Sequence, residues 1–356
     1  MTSITKPPVR HPGLRQNAIG LTTRDYEGVM STLCAGCGHD SVTAAIIQAA
    51  WELALPPHRV AKMSGIGCSS KTTAYFMKQA HGFNSVHGRM PSVASGANAA
   101  NRELHYIGIS GDGDSLSIGL GQLCHAIRRN VNLVYVIENN GVYGLTKGQF
   151  SASSDVGSKS KRGEPNMQPP IDPVLLALTL GATFVARGFS GDKAQLVPIL
   201  KAAFEHQGLA LVDVISPCVT FNDHEGSTKS YRYTREHTVE LASVELTASD
   251  LVPLRREISV PGSDDAVVSV TMHDGDVVRF RKTEAGYDPT DREQASAHVR
   301  ACQKRGEVAT GLLFLDESGH DMHAVNGTVP GALANLPFEA LCPGSAKLAA
   351  LMADFR

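Results

Sequence analysis

The stretch GDGDSLSIGLGQLCHAIRRNVNLVYVIENN, residues 111–140, decides how this chain is folded. It follows HYIGIS (105–110), an apolar run of strand length, and it closes on a second such run, NLVYVIEN. Between them Gly111 and Gly113 permit a tight turn, and SLSIGLGQLCHAIRR carries the apolar spacing of a helix. Strand, turn, helix and strand in this order predict a parallel sheet covered by helices. The free amides and positive dipole end of the helix would face the turn, which makes an anion site, and Gly113 would clear it of side chains. A diphosphate held there needs a divalent cation, and Mg2+ takes hard oxygen ligands. Asp112 supplies one oxygen. The second strand brings Asn140 to the same edge, where its amide oxygen and a nearby carbonyl such as that of Val142 complete the protein's share. Taken singly, GDGD and NNG are also ordinary turns. Their spacing, each after an apolar strand, is what points to a cofactor.

Outward from this unit the alternation continues. DSVTAAIIQAAWELAL reads as a helix capped by Asp40 and RVAKMSGIG as a strand; DPVLLALTLGA, ATFVARG, DKAQLVPILKAAFEH and LALVDVI then alternate helix and strand to about residue 216. Residues 1–30 read as an N-terminal arm, 31–240 as the diphosphate-binding domain and 241–356 as a C-terminal region. In that region AVVSVTMHDGDVVRFRK reads as a hairpin around Asp274-Gly275, REQASAHVRACQKR as a helix and TGLLFLD as a strand. The final stretch mixes prolines with apolar residues and is expected to wrap over a partner subunit. SASSDVGSKSKRGEPNMQPP (151–170) has the composition of a linker, but its place directly after GLTKGQF suits an ordered loop of the site equally well. Lys159 and Lys161 receive no role from sequence.

The 356 residues carry a formal net charge of −2, and 42% of them are hydrophobic, so a sizeable core is expected and nucleic acid is not the expected ligand. The N-terminus lacks the apolar segment of a signal peptide, and VLLALTLGATFVA (174–186) falls short of the roughly 20 residues that span a bilayer. A cytoplasmic protein without membrane contact is the expectation. Seven cysteines are present. Cys34 and Cys37 form a Cys-x-x-Cys, which by itself reads as a redox disulfide or half of a zinc site. Cys68 and Cys218 each follow a predicted strand, in glycine- or proline-flanked loops. Cys124, Cys302 and Cys342 read as free thiols, Cys124 as a core residue.

CAGCGHD (34–40), SGIGCSS (64–70), HGFNSVHGRMPSVASGANAAN (81–101), the 111–149 stretch ending in GVYGLTKGQ, and ISPCVTFND (215–223) occur in the order found in thiamine diphosphate enzymes. More closely, the chain resembles the beta subunits of 2-oxoacid:ferredoxin oxidoreductases over most of residues 30–225. The resemblance implies a thiamine diphosphate-binding α/β fold, a parallel sheet with helices on both faces plus a C-terminal extension. It implies one 4Fe-4S cluster on Cys34, Cys37, Cys68 and Cys218, a set of four thiolates that such a cluster requires. It further implies Mg2+ on Asp112, Asn140 and the Val142 carbonyl, with the cofactor held by Ile66, Gly67, Cys68, Ser69, His87, Gly111, Asp112, Gly113, Asp114, Asn140, Val142, Gly144, Leu145 and Thr146. His87 ranks above His39 and Lys71 as a site residue.

The activity so implied is coenzyme A-dependent oxidative decarboxylation of a 2-oxoacid, with electrons passing through the cluster to ferredoxin, or the reverse carboxylation. GIGCSSKTTAYF and the long C-terminal part look most like the 2-oxoglutarate group, giving succinyl-CoA; pyruvate or a broad 2-oxoacid range is the alternative, as is a thiamine diphosphate decarboxylase or synthase without redox chemistry. No glutamate that would activate the aminopyrimidine is visible. An alpha subunit is therefore expected to bring it, in an alpha2-beta2 heterotetramer.

Overall fold

A computed structural model describes residues 13–160, 163–244, 247–248, 256–258, 267–271, 277–282, 287–342 and 344–355. Residues 1–12, Lys161 and the Asp274-Gly275 turn lie outside the described residues.

The apolar runs become strands because only a fully covered sheet can bury them. We label the main elements α1 (Gly38–Glu52), β1 (Val60–Ser64), β2 (His81–Asn84), α2 (Met90–Ala100), β3 (His105–Gly111), α3 (Leu120–Arg128), β4 (Leu133–Asn139), α4 (Pro173–Leu180), β5 (Phe184–Phe189), α5 (Lys193–Glu205), β6 (Leu209–Ile215), β7 (Thr238–Val244), α6 (Arg292–Arg305) and β8 (Val308–Leu315). Every residue of β4, β5 and β6 is buried, as expected for parallel strands covered on both faces. The sheet order is β2-β1-β3-β4-β6-β5-β8-β7, with the short strands of residues 247–282 beyond β7. Strands β1 to β6 run parallel and β8 runs antiparallel to β5. The helices pack in two sets, α1 with α5 and α2 through α3 and α4 to α6, one for each face of the sheet.

This order fixes where a ligand can enter. From β1 the chain moves outward to β2 and then crosses back to β3 on the other side of β1. Loops leaving β1 and β3 therefore part at their carboxyl ends and open a crevice there.

Two local readings are revised. Helix α1 starts at Gly38 with Cys37 as its flanking residue, so Asp40 lies inside the first turn, where its charge meets the positive end of the helix instead of capping it. The early start follows from a close approach: a Cβ on Gly38 would stand 2.7 Å from the backbone of Ser216, and Gly38 N–H donates to Pro217 O at 3.2 Å. After β3 the helix opens as a π-type turn over Asp114–Ile118, closed by Gly119 N–H on Asp114 O, before α3 becomes regular.

Residues 13–30 lie against α1 of the same chain: Asn17 Nδ2 donates to Trp51 O, Trp51 Nε1 donates to Leu21 O, and Tyr26 is fully buried. The strands beyond residue 240 return to the same sheet, where β8 sits between β5 and β7. The expected hairpin pairs Val267–Thr271 with Val277–Lys282. The tail after β8 leaves Phe338, Leu341, Leu348, Leu351 and Phe355 exposed. Among the described residues no helix is long and apolar enough to cross a membrane.

Gly311 stands at a register shift between β8 and β7, where Leu241 of β7 is the extra residue. The φ of Gly311 is +98°, and a Cβ there would stand 2.2 Å from Ala242 O. Gly311→Ala is expected to lower the urea unfolding midpoint, with a cost on the order of 1–3 kcal/mol from backbone strain alone, measured by circular dichroism.

Candidate active site

Three strand ends build the crevice. The loop after β1 contributes Ile66, Gly67, Cys68 and Ser69; the turn after β3 contributes Gly111, Asp112, Gly113 and Asp114; the segment after β4 contributes Asn140, Val142, Gly144, Leu145 and Thr146; and His87 comes from the loop before α2. All fourteen residues expected to hold the cofactor thus line one cavity of about 60 Å3, joined by His39 and Tyr143. A larger cavity, about 500 Å3, lies beside it under Asp172, Arg187, Asp213 and Lys229. Its central charge is already paired: Arg187 donates from Nε to Asp213 and from Nη2 to Asp172.

Asp112 is 1% exposed, so its carboxylate depends on donors. Ser151 Oγ and Ser153 Oγ both donate to Oδ2, and Asn140 N–H reaches Oδ1 at 3.4 Å. Burial raises the Asp112 pKa, while the two hydroxyls and Lys229 act against that rise. Asn140 presents Nδ2 to His39 Nε2 at 3.4 Å, and its Oδ1 accepts from Val142 N–H at 3.1 Å, leaving that oxygen a second lone pair.

Asp114 plays a different part, since Gly88 N–H donates to Oδ1 and Ser110 Oγ to Oδ2. Its Oδ2 lies so close to Gly65 that a Cβ there would stand 1.8 Å away, so Asp114 ties β1, β3 and the His87 loop together. Gly113 also differs from expectation. The Tyr143 ring occupies the space above it, 2.4 Å from where a Cβ would be, and Tyr143 Oη donates to Gly113 O. Glycine is required there to seat a tyrosine.

The four cysteines of the expected cluster come from three elements. Cys37 flanks α1 and is buried, Cys34 is exposed, and Cys68 and Cys218 are half-buried; none of the seven cysteines is in a disulfide. Cys68 and Cys218 each place Sγ 3.6 Å from the position of a Cβ on Gly144, so their sulfurs lie no further apart than twice that distance. Thr220 Oγ1 donates to Cys34 Sγ at 3.6 Å. Burial pushes the Cys37 thiol up to about 12, with Glu138, Cys218 and Asp40 adding to the rise. Cys68 is raised by burial and by Cys218 and Cys34, against Lys71. Among the described residues no three His, Cys, Asp or Glu side chains converge closely enough to hold a single metal ion. Of the other thiols, Cys302 is in the core, Cys342 is exposed, and Cys124 is only half-buried.

Sequence reading passed over a buried network between the thiols and the cavity. Glu138, at the end of β4, is fully buried and accepts from Thr72 Oγ1; burial raises its pKa well above the ordinary carboxylate value. His39 Nδ1 stands 3.5 Å from that carboxyl and 2.5 Å from Ser216 Oγ, and burial lowers its pKa to about 4. A buried carboxyl that burial pushes toward protonation and an imidazole that burial holds neutral therefore face each other there. The signal for Glu138 was present as an acid inside the apolar run NLVYVIEN. Lys71 reaches Thr32 Oγ1 at 3.4 Å, and Lys159 is exposed. The described residues of the 151–170 loop form a wall near the site: Ser151, Ser153 and Ser154 are buried, and Asn166 Nδ2 donates to the carbonyls of Ser154, Asp155 and Gln168.

Comparison with known proteins shows the family of the chain. The thiamine pyrophosphate enzyme C-terminal TPP-binding domain family matches residues 65–214. A 2-oxoacid:ferredoxin oxidoreductase subunit beta from Saccharolobus solfataricus is 44% identical over 208 residues, 58% of this chain and 68% of that protein. The 2-oxoglutarate oxidoreductase subunit KorB of Mycobacterium tuberculosis is 42% identical over 191 residues, 53% of this chain and 51% of the relative. The alignments thus span between about half and two thirds of these relatives. A solved 2-oxoglutarate:ferredoxin oxidoreductase from Magnetococcus marinus, with 2-oxoglutarate, coenzyme A and succinyl-CoA bound, superposes with a TM-score of 0.72 at 27% identity, covering 95% of this chain and 98% of that one. The chain belongs to the family of 2-oxoacid:ferredoxin oxidoreductase beta subunits.

Proposed function

We propose that this chain is the cofactor-bearing half of a cytoplasmic 2-oxoglutarate:ferredoxin oxidoreductase, pairing with an alpha subunit as alpha2-beta2. The net reaction converts 2-oxoglutarate and coenzyme A to succinyl-CoA and carbon dioxide, and two electrons leave singly through a 4Fe-4S cluster to ferredoxin. The observation that carries this reading is the convergence of Asp112, Asn140 and the residues after β1 on one crevice that Cys68 also lines.

The donor set suits the groups invoked. Asp112 and the Asn140 amide oxygen, with the Val142 carbonyl beside them, are hard oxygen donors for Mg2+. Thiamine diphosphate, when bound, supplies a carbanion for attack on the 2-keto carbon and a sink for the electron pair left by decarboxylation. The protein's part is to hold the diphosphate end at residues 111–114 and 140–146. The cavity of about 60 Å3 has room for only a fraction of such a cofactor, which fits a site completed by the alpha subunit. Cys37 and Cys68 are thiols that burial, and the neighbouring Cys218, favour in the protonated form, and a cationic iron centre reverses that preference, because a coordinating thiol loses its proton. Cys34, Cys37, Cys68 and Cys218 supply the four thiolates. A thiol set placed against the cofactor crevice favours the redox reading over a simple decarboxylase.

Two outcomes are expected. Purified anaerobically with its alpha subunit, the protein should show a reduced-cluster EPR signal on addition of 2-oxoglutarate with coenzyme A, weaker with pyruvate; Cys68→Ser should lose iron and that signal, and a zinc-containing, EPR-silent wild type would defeat the assignment. Asp112→Asn should weaken Mg2+-dependent thiamine diphosphate binding by roughly a hundredfold, at or beyond the top of the range for outer-shell partners of a metal site, with iron content unchanged; calorimetric titration reads the difference.

A further inference from the structure

The serines directly after the GLTKGQF motif have no assigned role, yet two of them reach the least exposed carboxylate of the crevice. We propose that Ser151 and Ser153 form a hydroxyl clasp that positions Asp112 for its cation, a role that rests on the Mg2+ reading above. Both hydroxyls donate to the same oxygen, Oδ2, Ser153 at 2.5 Å. Among the described residues, Oδ1 keeps only the long contact from Asn140 N–H at 3.4 Å. One oxygen is held and the other is left to face a ligand. Two donors on Oδ2 also fix the rotation of the carboxylate about Cβ–Cγ.

The clasp is itself braced from two sides. Ser154 Oγ donates to Gly141 O at 2.6 Å and accepts from Ser151 N–H at 2.8 Å, which locks the loop to the turn beyond Asn140. Ser153 Oγ also lies 3.0 Å from Asn139 Oδ1; Asn139 Nδ2 donates to Asp213 at 3.0 Å, and Asp213 accepts from Arg187. A serine hydroxyl has one proton, so Ser153 serves either Asp112 or Asn139 at a given moment, while Ser151 has Asp112 as its strong acceptor. Ser151 is therefore the constant donor, and Ser153 links the carboxylate to the Arg187 ion pairs. Ser151 and Ser153 are positioning residues: they act through Asp112 without touching the cation.

The test uses the complex with its alpha subunit, stripped of divalent cations, loaded with thiamine diphosphate and titrated with Mn2+ while free Mn2+ is read by EPR. The Ser151→Ala/Ser153→Ala double variant should bind Mn2+ at least roughly tenfold more weakly, as the loss of charge-assisted hydrogen bonds predicts. Ser158→Ala, in the same loop but bonded to Asp155 O, should titrate like wild type. Ser153→Thr, which keeps the hydroxyl, should recover most of the affinity that Ser153→Ala loses. A merely structural role would lower the melting temperature of the metal-free double variant and leave Mn2+ affinity unchanged, and that result would overturn the clasp. If the double variant does not assemble, the single variants decide in the same way. A wild-type complex that takes up no Mn2+ with thiamine diphosphate would instead sink the metal reading, and the clasp with it.

Discussion

Strand β4 is hydrogen-bonded on both edges and covered on both faces, and the site depends on that confinement. Because β3 and β6 pair with it in parallel, the three strands end at one edge, and their following loops must turn away from one another. Apolar side chains fill β4 up to Ile137, after which come Glu138 and Asn139, the last residues of the strand, and Asn140 just beyond it, all at most 5% exposed. Three polar residues in succession without water must each find a partner, since an unpaired buried polar group is costly. Glu138 takes Thr72, Asn139 takes Asp213 and Ser153, and Asn140 takes His39, Asn222 and Val142. Much of the geometry around the crevice follows from satisfying this strand end.

The partners come from distant parts of the chain, which explains how residues so far apart in sequence meet. Thr72 follows the loop of Cys68, His39 follows Cys37 by two positions, and Asn222 follows Cys218 by four. Thr72, His39 and Asn222 thus each carry a cysteine-bearing loop inward with them. The seating of Gly38 against Ser216 and Pro217 completes the arrangement by bringing Cys37 toward Cys218.

How much of this was legible in the sequence depends on the range of the interaction. The alternation of apolar runs with helical spacing showed the parallel sheet, because buried strands need continuous apolar residues. Asp112 and Asn140 could be read because each stands one residue past a recognisable strand. Ser151 and Ser153 could not, since nothing local distinguishes a hydroxyl aimed at a buried carboxylate from one facing water. The start of α1 was misread for a similar reason: Asp40 is a good cap by its own chemistry, but the contact with Ser216, about 180 residues away, carries the helix back to Gly38. Gly113 was read as space for a ligand, whereas the Tyr143 ring fills it. The family resemblance supplied the residue set that spacing alone left open.

Gly144 has neighbours of two kinds, for it lines the cavity and also lies against the sulfurs of Cys68 and Cys218. With 3.6 Å to each sulfur, a methyl group there would fit at ordinary contact distance, but anything larger would press on both thiols at once. The shape of the crevice and the setting of these two thiols are therefore not independent traits in this chain. A lineage that widened or narrowed its crevice at this position would disturb both sulfurs in the same step, so change in the crevice would be channelled toward residues elsewhere on the neighbouring loops.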